Sequence, residues 1–477
     1  MESSSNSTIS PALASFPDEI LLLLMGVSEI PAILAMRLTC RRLCIITQDL
    51  TLWTNIAKYQ FASYPMGRIE RTNKWLFSQD LNSLENLTIR AYRLHEAWLQ
   101  PREAPLLHLT KIHKDFSIVS MDVFNDRWLV TSSQSGTFSL SDLKASNGDY
   151  LCGDLSLNPL FASTWFACVT RLSNSGEYVT LVATCNDPLS TTAVIVFALE
   201  RHSQPACVSL LALFEAPFPS RIRDVGTGSA ATVAMFSRSS KVDIYDWRSK
   251  ARTTLQTQED ELDESLWNGV IAVRLCGRYL LCVKCESIEL YACPPFRATT
   301  ELIHAQEQTD HEKPLGLHRF SDRRFHDASF SEYREADGTI TILLLDVLHG
   351  LYLYRVRIEP HFRLFPLGKF LLGPDKGFVS TFTLGPEGKR GIWVERWRAN
   401  TQRTVYAFST PLRPYDDPED GDTVNLTAIP VYAVKSYDLR DDLTTCALSE
   451  PSGRIILGTR DGRIQVLDCL PASDRAG

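Results

Sequence analysis

The 477-residue sequence has no run approaching the roughly 18 apolar residues that cross a bilayer. Its first apolar run, Ile20 to Met25, is short and follows Asp18 and Glu19. The opening MESSSNSTIS has no basic region and carries an acid at Glu2, so no secretory signal is expected. The sequons headed by Asn6, Asn86 and Asn425 then read as chance matches. There is no excess of basic charge: Lys+Arg 49 against Asp+Glu 56 leaves −7, which argues against non-specific nucleic-acid binding. Twelve cysteines in a chain this long do not make a disulfide scaffold. Cys168, Cys185 and Cys446 sit among apolar neighbours, as small hydrophobes do. The expectation is reduced thiols, a cytoplasmic or nuclear location, and neither a membrane nor a nucleic-acid partner.

Motifs of catalysis are missing too. There is no Gly-x-Ser-x-Gly, no P-loop and no His-Glu-x-x-His; His95-Glu96 lacks the second His four residues on. Gly226-Thr-Gly228-Ser-Ala-Ala231 mimics a dinucleotide fingerprint, but Thr232 to Phe236 reads as a strand, leaving no helix N-terminus for a phosphate. Cys282-Val-Lys-Cys285 reads as mid-strand, where residues i and i+3 point to opposite faces and cannot share a zinc. No catalytic, metal or cofactor residue is assigned.

What is present falls into segments. Residues 1–15 form a Ser-rich tail, expected to be disordered. Residues 16–56 are helical in pattern, 57–105 form a helical linker, 106–470 are short β-like runs split by turn residues, and 471–477 are a tail. Pro17 and Asp18 open a helix over Glu19 to Met25, closed by Gly26. Pro31 opens a second, with Ile33, Leu34 and Leu38 three and four apart and Arg37, Arg41 and Arg42 on its other faces. Asn82-Ser-Leu-Glu85 reads as a capping box, followed by the stripe Leu84, Leu87, Ala91, Leu94 and Trp98. Leu21 to Leu24 are apolar all round and must be covered on more than one side, by this chain or by another protein.

Phe16-Pro17-x-Glu19-Ile20-Leu21, with Leu24, then Ile33-Leu34-x-x-x-Leu38-x-Cys40-Arg41-Arg42, then Leu52-Trp53 after Asp49, resembles an F-box. The resemblance covers about forty residues. It departs at Phe16, where Leu is usual, and at Leu43, where Trp often follows the Cys-Arg-Arg. It implies docking through these residues on a Skp-type adaptor and, through it, a cullin–RING ubiquitin ligase. A small helical cap on the β region is the plain structural alternative.

The β region repeats itself. Gly136-Thr-Phe138-Ser-Leu140-Ser-Asp142, Ser240-Lys-Val242-Asp-Ile244-Tyr-Asp246 and Gly462-Arg-Ile464-Gln-Val466-Leu-Asp468 share a turn residue, a period-two apolar pattern and a closing Asp. Asp246 lies 104 residues after Asp142 (246 − 142), and Asp468 lies 326 after it (468 − 142). With a unit of about 50 residues these are two and six units, placing the ends in blades one and seven. Ser452 to Asp468 resembles a WD-repeat, although Asp246-Trp247 has that dipeptide reversed. A seven-bladed propeller is expected, with Leu106 to Ile112 supplying the outer strand of the last blade. A β-sandwich, two smaller β domains or eight blades are the alternatives.

Two surface features remain. Arg319, Arg323, Arg324 and Phe325, with His311, His318 and His326, form a basic, aromatic segment read as a loop and as a candidate substrate-binding patch. The acidic runs Glu259 to Glu264 and Asp416 to Asp422 read as insertions between blades. Together these readings give a mainly β chain with an amino-terminal F-box and helical linker. It is expected to be a non-enzymatic substrate receptor, with a non-ligase propeller scaffold and a propeller enzyme as alternatives.

Overall fold

A computed structural model describes residues 16–63, 80–102, 107–109, 117–124, 126–133, 138–143, 151–154, 165–172, 178–186, 192–200, 208–216, 221–225, 232–238, 240–247, 249, 251–257, 268–295, 313–372, 377–397, 401–410 and 425–470. The expected tails, the glycine-rich 226–231 segment, His311 and both acidic runs lie outside the described residues. So do the side chains of Cys168 and Cys185. The chain divides into two compact units, Met1–Trp98 with Leu470–Gly477, and Leu99–Cys469.

The first unit is helical: α1 (Asp18–Gly26), α2 (Ile30–Arg37), α3 (Arg41–Ile46), α4 (Leu50–Ser63) and α5 (Leu81–Trp98). Pro17 starts α1, its carbonyl accepting from the amides of Ile20 and Leu21. Pro31 sits in the first turn of α2, where its missing N–H costs nothing. Arg41 and Arg42 do not continue α2 as the spacing suggests. Cys40 is extended and breaks the chain, so the two arginines open α3. The cap of α5 lies two residues before the expected box. Asp80 Oδ1 accepts from the Ser83 amide at 2.8 Å, and Glu85 is free to pair elsewhere. Leu21, Met25, Ile33, Leu43, Trp53 and Leu84 meet in one core drawn from all five helices.

The second unit holds seven four-stranded antiparallel sheets among the described residues. The first joins β2 (Ile118–Phe124), β3 (Trp128–Ser133), β4 (Phe138–Asp142) and β5 (Leu151–Asp154). The second joins β6 (Trp165–Leu172), β7 (Tyr178–Asn186), β8 (Thr192–Glu200) and β9 (Val208–Ala216). The third joins β10 (Arg221–Val225), β11 (Thr232–Arg238), β12 (Lys241–Asp246) and β13 (Ala251–Gln256). The fourth has β14 (Val270–Cys276), β15 (Tyr279–Lys284), β16 (Ser287–Ala292) and β17 (Gly316–Arg319). The fifth has β18 (Phe325–Phe330), β19 (Thr339–Asp346), β20 (Gly350–Arg357) and β21 (Arg363–Phe370). The sixth has β22 (Phe378–Leu384), β23 (Arg390–Arg396), β24 (Gln402–Ser409) and β25 (Ile429–Lys435). The last has β26 (Leu443–Ser449), β27 (Arg454–Thr459) and β28 (Ile464–Leu467). Its outer strand is β1 (Leu107–Leu109), which pairs with β28 in the register Leu107↔Val466.

The three repeat aspartates fall at the third strand of the first, third and seventh sheets. In two of them the Asp meets an Arg at the start of the second strand: Arg127 to Asp142 at 2.6 Å and Arg454 to Asp468 at 3.2 Å. The run Asp416 to Asp422 lies in sequence between β24 and β25, inside one sheet rather than between two as the spacing suggested.

The fourth and fifth sheets are apolar on both faces. On β19, Ile340, Ile342 and Leu344 pack against the fourth sheet, while Leu343 and Leu345 pack against the sixth. On β15, Leu281 and Val283 join the fifth sheet's core, and Leu280 and Cys282 face the third. Residues i and i+1 of a strand must both be apolar when both faces are covered. The first strand of each sheet lies beside the first strand of the next, and β26 lies beside β2.

Adjacent first strands run the same way. The start of β22 meets the start of β26, Ser380 Oγ donating to Leu443 O at 3.2 Å. Just past their far ends, the Glu450 carboxylate accepts from the amides of Glu387 at 2.5 Å, Lys389 at 2.8 Å and Arg390 at 2.8 Å. Burial pushes this carboxyl up, to about 7, against the pull of the Lys389 and Arg390 amides and side-chain charges. Glu450→Ala removes the carboxylate that accepts from three amides at a buried joint, so it should cost about 3 kcal/mol or more. Urea unfolding of wild type and variant checks this; a loss under about 1 kcal/mol would contradict it.

Candidate functional site: interaction surfaces of the two units

The helical unit is built around Arg37 at the end of α2. Its guanidinium forms a bidentate pair with Glu85 of α5, at 2.6 and 3.0 Å. It also donates to Thr47 Oγ1 and Thr47 O, each at 3.0 Å, and lies 5.8 Å from the Trp53 ring centre. The hydrogen bonds that Arg37 donates to Glu85 raise the Arg37 pKa against burial, so the cation stays charged. Trp53 Nε1 donates to the same Thr47 carbonyl at 2.8 Å. One arginine thus ties α2, α4, α5 and the end of α3 together. Arg42 makes a more exposed link, to Asp18 at 2.5 Å and to Phe16 O at 2.8 Å.

The F-box-like residues separate into two groups. Leu21, Ile33, Leu52 and Trp53 are core, and Phe16 and Leu34 are half-buried against it. Pro17, Glu19, Ile20, Leu24, Leu38, Cys40 and Arg41 are exposed. Ile20 and Leu24 are each 42% exposed and Leu38 is 87%. Leu23, Val27 and Ile45 are exposed too and were not singled out by sequence. For Leu23 the signal was that α1 is apolar on all sides; Val27, just past α1, and Ile45, in α3, carried none. The unit therefore presents an uncovered apolar surface on α1, the end of α2 and α3.

The expected loop patch of the β unit is reorganised. Arg319 ends β17, and Phe325 begins β18 as a fully buried core residue. Arg323 sits 4.5 Å from the Tyr352 ring centre and donates to Tyr354 Oη. His318 and Phe325 both pack edge-on against Phe320. Arg323 is thus partly buried against aromatic rings, and Phe325 is wholly buried among them. Arg319 and Arg324 stay exposed, Arg324 paired with Glu286 at 2.9 Å.

Cys282 is buried within β15, while Cys285 lies one residue past that strand, not inside it as expected. Burial raises the thiol pKa of Cys282 and of Cys446, the latter to about 12, which leaves both unreactive. Among the described residues no group of His, Cys, Asp or Glu has metal-binding geometry. No described helix is long and apolar enough to cross a membrane.

The chain is similar to the β-propeller domain of Myceliophteria thermophila Cps50 (Swd1), with 10% identity and a TM-score of 0.52 over 77% of this chain and 99% of that one. It is also similar to Chaetomium thermophilum Raptor, with 11% identity and a TM-score of 0.53 over 94% of this chain. The match spans 38% of the Raptor chain. No family model matches the sequence, and no curated protein does. At this identity the likeness is one of fold. The chain is mainly β, with propeller-like antiparallel sheets after a few amino-terminal helices.

The sorting of the helical residues has a direct consequence. Leu21→Asp places a charge in a closed core and should cost more than about 3 kcal/mol, unfolding the helical unit. Leu38→Asp should change stability by less than about 0.5 kcal/mol. Limited proteolysis of the full chain distinguishes them: cleavage within residues 16–98 should accelerate only for Leu21→Asp.

Proposed function

We propose that this chain is the substrate-recognition subunit of an SCF-type ubiquitin ligase. The helical unit would be an F-box that docks on a Skp-type adaptor. The β unit would be a closed seven-bladed, WD-like propeller that holds a protein substrate. The observation that carries this reading is the split within the F-box-like residues. One set makes a core, and Ile20, Leu23, Leu24, Val27 and Leu38 remain as an apolar surface that water would not favour without a partner. Closure is supported by β1 completing the last sheet and by β26 lying beside β2.

In this role the protein carries out no chemistry. It raises the effective concentration of substrate lysines near the conjugating enzyme that the adaptor and its cullin–RING partner bring. The likeness to propeller domains also supports a second reading, a protein-interaction scaffold without ligase function.

The test is binding of the purified full-length chain to a purified Skp-type adaptor. Wild type should bind, and Leu24→Asp with Leu38→Asp should weaken binding at least tenfold while the thermal transition of the β unit is unchanged. If wild type does not bind, the receptor reading fails and the scaffold reading stands.

A further inference from the structure

The helical unit holds two of the cysteines, Cys40 and Cys44. Cys40 is the one exposed cysteine among those described. Cys276, Cys282 and Cys446 are buried, and Cys44, Cys285, Cys293 and Cys469 are half-buried. The pair lies at the α2–α3 junction, in sequence between the exposed side chains of Leu38 and Ile45.

Local structure sets the two residues one turn apart. Cys40 is the extended residue that precedes α3, and its side chain makes no capping hydrogen bond. The Cys44 amide donates to the Cys40 carbonyl at 3.0 Å, closing the first turn. Four residues at a rise of about 1.5 Å separate the two Cα atoms by about 6 Å, inside the ~4.4–6.8 Å that a disulfide spans. On a regular turn the Cβ atoms of such a pair lie about 5–6 Å apart, against the ~3.5–4.5 Å of a formed bond. The bridge is thus within reach, but closing it draws the ends of the turn together by about 1–2 Å.

What moves follows from what is fixed. Leu43 and Ile46 hold α3 in the core of the helical unit, so the displacement falls on the Cys40 side. Two residues before Cys40, Leu38 caps α2 and is exposed. Two residues after it, Arg42 ties the turn to Asp18 and to the Phe16 carbonyl at the start of α1. A change at Cys40 therefore reaches Leu38 through the chain and α1 through Arg42. Both carry the exposed apolar surface. Arg41, next to Cys40, is exposed and offers a cation to a negatively charged oxidant.

We infer that Cys40 and Cys44 are a thiol–disulfide switch: a low-molecular-weight disulfide such as oxidised glutathione joins them, and the bridge deforms the α2–α3 junction and the apolar surface beside it. The Cys40 thiolate attacks one sulfur of the oxidant and releases one glutathione as its thiolate. The Cys44 thiolate then attacks the Cys40 sulfur of the mixed disulfide and releases the second. The pair loses two electrons and two protons, and the oxidant takes them up as two thiols. A bridge that must pull its turn together is readily reduced, which suits a switch rather than a permanent staple. The inference rests on the adaptor reading for the partner that is switched, and not for the thiol chemistry.

The test incubates the full-length chain with oxidised glutathione and maps disulfides by mass spectrometry after tryptic digestion without reductant. Cleavage after Arg41 and Arg42 separates the two cysteines. The peptide carrying Cys40 should be joined to the one carrying Cys44, free of glutathione. Hydrogen–deuterium exchange across residues 38–46 should quicken about threefold or more in the joined form, and dithiothreitol should restore it. Cys44→Ser should instead retain glutathione on Cys40. Binding to a purified Skp-type adaptor should weaken at least fivefold in the joined form and recover on reduction. Reduced Cys44→Ser should bind within about twofold of reduced wild type. Both thiols left unmodified, glutathione retained on Cys40 of the wild type, or a joined form with the exchange or the adaptor affinity of the reduced chain would overturn the proposal. If the reduced chain does not bind the adaptor at all, the adaptor reading falls, and linkage and exchange still decide the switch.

Discussion

A four-stranded sheet that is apolar on both faces is stable in water only between two others. That constraint organises the β unit. It lays β19 between the cores of the fourth and sixth sheets and β15 between those of the third and fifth. It sets first strands side by side, and it sends polar work to the two ends, where strands stop and backbone groups need partners. Glu450 serves one end by holding three amides of the neighbouring sheet. At the other end Asp346 and Asp442 do the same for turns and arginines. What the ends do not use for their own structure faces solvent.

The same constraint explains how much of the sequence was readable. The repeat was clear at Asp142, Asp246 and Asp468, which close third strands of three sheets. It faded in the fifth sheet, where Thr339 to Asp346 reads as one apolar run because neither face is wet. The segment between Arg319 and Phe325 is the connection between two sheets, as its charges suggest, but the packing of Arg323 and Phe325 was not legible in it. Charged residues in a strand end and a short turn look like a solvated loop until the aromatic partners Phe320, Tyr352 and Tyr354 are in place. These partners lie up to 31 residues away along the chain, beyond the reach of local pattern.

In the helical unit, existence and direction of the helices were legible from proline and apolar spacing. The division of labour among leucines was not. Leu21 and Leu24 belong to one apolar turn, yet only Leu21 is covered. Which face closes is decided by α4 and α5, which bring Trp53 and Leu84 from distant sequence. Asn82 was misread as the cap because Glu85 completes the pattern. Glu85 is instead committed to Arg37, and Asp80 takes the cap. A unit of this size has little core to spare, so an apolar surface left open on α1 and α2 is conspicuous.

The central claim is that the helices meet an adaptor while the sheets remain available for another partner. Hydrogen–deuterium exchange of the full-length chain, with and without purified Skp-type adaptor, tests it most directly. Slowed exchange in α1 and across the α2–α3 junction, with unchanged exchange in the connections around Leu348 and Tyr437, is the expected result. Protection confined to those connections, or no protection anywhere, would contradict it.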